Sequence, residues 1–158
     1  MAPPPEQEVR AIAESTESST VVAAPAPAVL DVISDLPAYP QWAKGVKSVD
    51  VLARDAAGRP ERARFVVDNG PIKDTYVLDY TWDVAADGTG TTAWTLVEAT
   101  AIRRLDGSYR LATVPGGTKV TYRLSVDINL PMLGMLKRKA EKVVVDTALK
   151  ELTKRVQG

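Results

Sequence analysis

The sequence predicts a single α+β domain: an antiparallel sheet with one apolar face, two short helices after the first strand, and a long C-terminal helix that covers the sheet. Three observations carry that expectation. Between residues 46 and 128, apolar and polar side chains alternate in successive runs separated by Gly-containing turns. Residues 131–156 are rich in Lys, Leu, Ala and Glu, with proline only near the start. Between these features and the N-terminus lies "PAPAVLDVISDLPAYPQW", a short helical pattern punctuated by prolines.

Residues 1–9 are Pro-rich and polar and are expected to form a flexible tail, leaving 10–158 as the domain. A first strand is expected within 12–23, where "STVVAA" gathers β-branched residues. The prolines of "PAPAV" suit a first helical turn, and Val29, Leu30, Val32, Ile33 and Leu36 give an apolar helical face. That helix should stop before Pro37. "DLPAYPQW", Asp35 to Trp42, then reads as a short second helix or tight corner with Leu36, Tyr39 and Trp42 turned inward. Tyr39 and Trp42 are either ligand contacts or an aromatic plug, and the scaffold reading is preferred.

About six strands follow. Val49, Val51 and Ala53 alternate with polar neighbours, as do Ala63, Phe65 and Val67. Tyr76, Leu78, Tyr80, Trp82 and Val84 give the clearest period of two, and Val120, Tyr122, Leu124, Val126 and Ile128 share a face in the last strand. "DAAGRP", "AADGTG" and "PGGT" read as hairpin turns, and the Gly of "LDGSY" suits either a bend or bulge in a strand or an Asp-Gly turn leading into one. Residues 131–156 make a helix of about seven turns.

Composition narrows the chemistry. Lys+Arg and Asp+Glu balance at 20 each, so no global charge recommends nucleic acid. No apolar run approaches the roughly 18–20 residues that span a bilayer, and the N-terminus has no apolar signal core, so a cytoplasmic location is expected. The chain has no Cys and no His. Disulfides, thiolate nucleophiles, the usual general base and the commonest zinc and iron ligands are therefore excluded. No metal and no cofactor are expected, and any catalysis falls to carboxylates, Tyr, Lys, Arg, Ser or Thr.

The order of elements, with "DLPAYPQW", "YTWD" at Tyr80–Asp83, "RLDGSYRL" at Arg104–Leu111 and "KRKAEKVVVDTALKELTKRV" at Lys137–Val156, resembles the helix-grip fold of the SRPBCC superfamily. That superfamily includes START lipid-binding domains, the birch-pollen allergen group and polyketide cyclases. The nearest resemblance is to an actinobacterial branch labelled polyketide cyclase/dehydrase or START-like. The resemblance implies a sheet wrapped around the long helix, with a cavity for an apolar ligand between them. It carries no universal catalytic set, and no catalytic residue is assigned.

Beneath such a helix, Tyr76, Tyr80, Trp82, Tyr109 and Tyr122 either line a cavity with apolar walls and a few hydroxyls or simply fill the core. Trp94 and Glu98 share parity, which puts a carboxylate near the cavity or, at the strand end, on its rim with Arg103 and Arg104 as partners. On the helix, Leu136, Ala140, Val143, Val144 and Thr147 lie on one side, and Val145, Ala148, Leu149, Leu152 and Val156 centre on another. The first group is expected to border the cavity and the second to pack tightly. Lys137, Arg138, Lys139 and Lys142 form a basic run that reads as a solvated helix face, interrupted by Glu141 and Asp146. The expected function is binding or transport of a hydrophobic small molecule (a lipid, isoprenoid or polyketide-like compound). A polyketide cyclase/dehydrase enzyme is the alternative, and an RNA, ribosome or protein interaction module is a further one.

Overall fold

The computed structural model describes residues 15–68, 73–128 and 134–158; the tail expected at 1–9 and the start of the last helix at Pro131 lie outside them. Seven antiparallel strands form one sheet in the order β1-β7-β6-β5-β4-β3-β2: β1 (Thr16–Val22), β2 (Val46–Arg54), β3 (Pro60–Asp68), β4 (Lys73–Val84), β5 (Gly90–Ala99), β6 (Ile102–Val114) and β7 (Gly117–Ile128). Helix α1 (Ala26–Ser34) and a 3-10 helix (Leu36–Gln41) join β1 to β2, and α2 (Gly134–Gln157) follows the sheet. The expected α+β architecture is the observed one.

Local chemistry explains each boundary. Pro25 and Pro27 open α1, where missing N–H groups cost nothing. Ala26, Val29, Leu30 and Ile33 bury one stripe of it. The chain then bends at "DLPAYPQW" into the 3-10 helix. Leu36 is fully buried there, and the Tyr39 hydroxyl donates to the Ile33 carbonyl at 2.6 Å. This pins the corner, so the segment is scaffold. The β4–β5 hairpin turns on Asp87-Gly88: Asp87 accepts from the Thr89 N–H and hydroxyl, and Gly88 takes φ +87° against the start of α1.

Helix α2 lies over β1 and β7 and against α1. Val145, Leu149 and Leu152 bury its inner face, with Ala148 and Val156 packed beside them. Its C-terminal half is also clamped by polar bonds. Glu151 accepts the Lys44 N–H, Arg155 donates to Gln41, and Gln157 accepts the Ala23 N–H. The tight packing expected of this half is what is found.

Of the two readings of "LDGSY", the structure takes the one within a strand and not the turn: β6 runs unbroken through it, and Gly107 pairs directly with Trp94 of β5. A Cβ on Gly107 would lie 2.3 Å from the Trp94 ring, so the indole rests on bare backbone. Glycine is needed there for close approach across the sheet.

Candidate functional site

Strand alternation aims the aromatic residues at one place. Phe65 of β3, Tyr76, Tyr80 and Trp82 of β4, Trp94 of β5, Tyr109 of β6 and Tyr122 of β7 all belong to or pack against the buried core on the sheet's inner face. With Tyr39 and Trp42 of the corner, they account for every aromatic side chain in the chain: one Phe, five Tyr and three Trp. The rings form one connected array. Centroid separations run from 4.6 Å for Tyr109–Tyr122 to 6.5 Å for Phe65–Tyr80. Phe65–Tyr76 and Tyr80–Trp82 are stacked at interplanar angles of 15° and 14°, whereas Trp94 meets Tyr122 edge-on.

The polar tips of this array are what make it more than core. Tyr39 and Trp82 are spoken for, since Trp82 Nε1 donates to the Pro60 carbonyl at 2.7 Å. By contrast, the hydroxyls of Tyr76, Tyr80, Tyr109 and Tyr122 and the Trp94 indole N–H have no hydrogen-bond partner among the described residues. Tyr80, Tyr109 and Tyr122 are only 7%, 6% and 8% exposed. Among the described residues no fully buried side-chain nitrogen or oxygen lacks a partner, so these polar tips keep some accessible surface although their rings are buried. Burial pushes the Tyr39, Tyr80 and Tyr109 hydroxyls well above the ordinary phenol value, and neighbouring tyrosines push the same way. Tyr76 and Tyr122 are raised too, again chiefly by burial. All remain protonated donors across the physiological range.

Other residues expected at the site fall elsewhere. Glu98 is corrected: it is exposed on the outer face. A β-bulge between the Val77 and Leu78 pairings inserts Val97, so Tyr76 pairs with Ala99, Leu78 with Leu96, and Glu98 sits opposite Val77. Its expected partner Arg104 instead pairs with Asp106 at 2.9 Å, and Arg103 is exposed. On α2, Ala140 and Val144 are exposed rather than beneath the sheet, as is Val143. At 100° per residue, Ala140 and Val144 fall on the same flank as Glu151, which meets Lys44; Asp146 and Thr153 occupy the opposite flank. The Leu136 side chain lies outside the described residues.

Sequence reasoning missed three contributors. Phe65 joins the array between Tyr39 and Tyr76, and its phase with Ala63 and Val67 was the available signal. Glu141 is buried on α2, accepting from Thr16 Oγ1 at 3.0 Å and from the Val126 N–H at 2.7 Å. It caps the stretch of β7 that β1 leaves unpaired, and its spacing from Val145, Ala148 and Leu152 marked it as inward. Asp74 is buried where β5 turns into β6. Its carboxylate accepts the N–H groups of Thr75, Thr100, Ala101 and Ile102 at 2.8–3.0 Å. Burial opposes its ionisation, but those four donors outweigh it and hold the carboxyl below its ordinary range. Nothing local in the sequence announces that role.

A family model described as polyketide cyclase / dehydrase and lipid transport matches residues 22–153. The chain belongs to that family. No match was found among curated proteins. Among solved structures, a START superfamily protein from Mycobacterium smegmatis superposes with a TM-score of 0.81 at 24% identity, over 90% of this chain and 97% of that one. TTHA0849 from Thermus thermophilus gives 0.73 at 25% identity over 90% and 97%. The Zhui aromatase/cyclase from a Streptomyces species gives 0.72 at 18% identity over 90% and 93%. The START-like helix-grip fold is thus shared with these proteins, and membership of the SRPBCC superfamily stands. No helix among the described residues is long and apolar enough to cross a membrane.

Proposed function

We propose that this protein is a cytoplasmic carrier or sensor that binds a hydrophobic small molecule, such as a lipid, isoprenoid or polyketide-like compound, on the inner face of the sheet beside α2. The observation that carries this reading is the set of tyrosines, Tyr80, Tyr109 and Tyr122, whose rings are buried in the core while their hydroxyls stay accessible and find no partner among the described residues. A purely structural core gains nothing from them. Phe would fill the same space, and it is a ligand that would bury these hydroxyls and so require that they be matched. A ligand oxygen supplies the missing partner, and the surrounding rings supply apolar walls. Tyr76 and Trp94 complete the contact set. The family's pairing of cyclase/dehydrase with lipid transport supports a ligand of this kind.

Native mass spectrometry of gently purified protein tests the proposal. A retained apolar molecule that is released by organic extraction is expected. An adduct-free spectrum, together with no melting shift across a broad lipid and polyketide library, would overturn it. A second reading, cyclisation or dehydration of a polyketide-like substrate, is favoured by the same protonated tyrosines, which can donate to a substrate carbonyl. Conversion of a poly-β-ketone analogue, abolished by Tyr→Phe changes that preserve binding, would select it over simple carriage.

A further inference from the structure

We infer that the site selects neutral, flat-ringed ligands bearing carbonyl or ether oxygens and discriminates against carboxylate-bearing lipids such as free fatty acids. This rests on the binding reading above and adds the ligand's charge and polarity to it.

The first ground is the supply of hydrogen bonds. Three deeply buried phenols and the Trp94 indole N–H converge on one array without partners among the described residues. The indole can only donate, and a phenol offers one donor. Such a lining calls for a ligand with acceptors. A lining made of so many rigid aromatic rings favours a flat ring over a flexible chain.

The second ground is charge. A carboxylate buried in this space needs a cation, because an unpaired ion in a low-dielectric interior is strongly disfavoured. The described strands offer none on their inner face. The strand Lys and Arg side chains are all exposed except Arg104, which is half-buried and paired with Asp106 at 2.9 Å. Lys137 is engaged by Asp127 at 2.7 Å. The charge that does turn inward is an acid, Glu141, held by Thr16 and Val126; half-exposed Glu151, bonded to the Lys44 N–H, adds negative charge that reinforces the effect of burial on the Tyr109 hydroxyl. An anionic headgroup would therefore meet donors without a counter-charge and a carboxylate nearby.

Three matched probes separate the terms by calorimetric titration of the full chain. Fluorene offers only the flat hydrocarbon, 9-fluorenone adds a carbonyl acceptor, and fluorenone-4-carboxylate adds a negative charge. Fluorenone is expected to bind about tenfold or more tightly than either of the others, with oleate weaker still. Replacing Tyr80 and Tyr122 together by Phe should erase the advantage of fluorenone over fluorene. Equal affinity for fluorene and fluorenone, or binding of the carboxylate or oleate as tight as fluorenone, would overturn the selectivity and leave the binding reading intact. Failure of all four probes would remove both. The comparison among probes is made on the wild-type protein, so it decides the matter even if the double variant fails to fold.

Discussion

Gly107→Ala adds one methyl group at the most crowded crossing in the sheet. The new Cβ would sit 2.3 Å from Trp94 Cζ2 and 2.5 Å from Cε2, roughly 1 Å or more inside ordinary contact. The indole cannot simply swing aside, because Tyr80, Tyr109 and Tyr122 stand around it at 5.8, 5.5 and 5.7 Å. Overpacking of this kind costs about 1–3 kcal/mol. Removing a strand glycine returns about 0.5–1 kcal/mol of backbone entropy. The net expectation is a loss of about 1–2 kcal/mol, which lowers the melting temperature of a domain this size by about 2–8 °C. Far-UV circular dichroism melts measure it. A Trp94→Leu background supplies the control: with the indole gone, the same Gly107→Ala change should cost much less. A variant that melts at or above wild type, or a penalty unchanged once the indole is removed, would refute the close-approach account of Gly107.

Three further outcomes are expected. Asp74→Asn replaces an acceptor of four backbone N–H groups by one that can satisfy about half of them, so a loss of about 2–4 kcal/mol is expected in denaturant titrations at neutral pH. Because the folded carboxyl is held below its unfolded value, its contribution is present above about pH 4 and lost as pH falls through the folded value; the gap between variant and wild type should close in acid, and a gap that widens would be inconsistent. Ala148→Leu presses on packed core and should cost about 1–3 kcal/mol, whereas Ala140→Leu, on an exposed flank, should stay within about 0.5 kcal/mol; melts in the reverse order would contradict the assigned faces of α2. Glu141→Gln should raise hydrogen exchange at the Val126 amide well before global unfolding, and unchanged protection there would show that the carboxylate does not hold that strand end.

Much of this architecture was legible because its signals are local. Alternation in Tyr76–Val84 and Val120–Ile128 placed the strands, Pro25 and Pro27 marked the start of α1, and Pro37 and Pro40 marked the short second helix that contains them. The failures share one cause. A bulge leaves no trace in alternation, so Glu98 was read in phase with Trp94 although Val97 shifts it to the other face. Gly107 could not be told from half of an Asp-Gly turn because its true reason, the Trp94 ring, lies on a neighbouring strand. On α2 two apolar stripes were visible, but only packing against β1, β7 and α1 decides that Val145, Leu149 and Leu152 are buried while Val143 is 60% exposed. The site followed the same division. Its tyrosines could be named from parity, but which hydroxyls lack partners depends on contacts between distant segments.

The gathering of every Phe, Tyr and Trp into one array also fixes how this protein absorbs and emits light. Proteins usually scatter their chromophores, so that near-ultraviolet signals average over unrelated places. Here the rings stand 4.6–6.5 Å from their neighbours, close enough for their transition dipoles to couple and for tyrosine excitation to drain into the indoles. The near-ultraviolet spectrum thus belongs to the array as a whole, and replacing one tryptophan alters the contribution of the others. Spectra of single-tryptophan variants will not sum to that of the parent, and whatever settles on the inner face of the sheet changes the colour of the whole molecule at once.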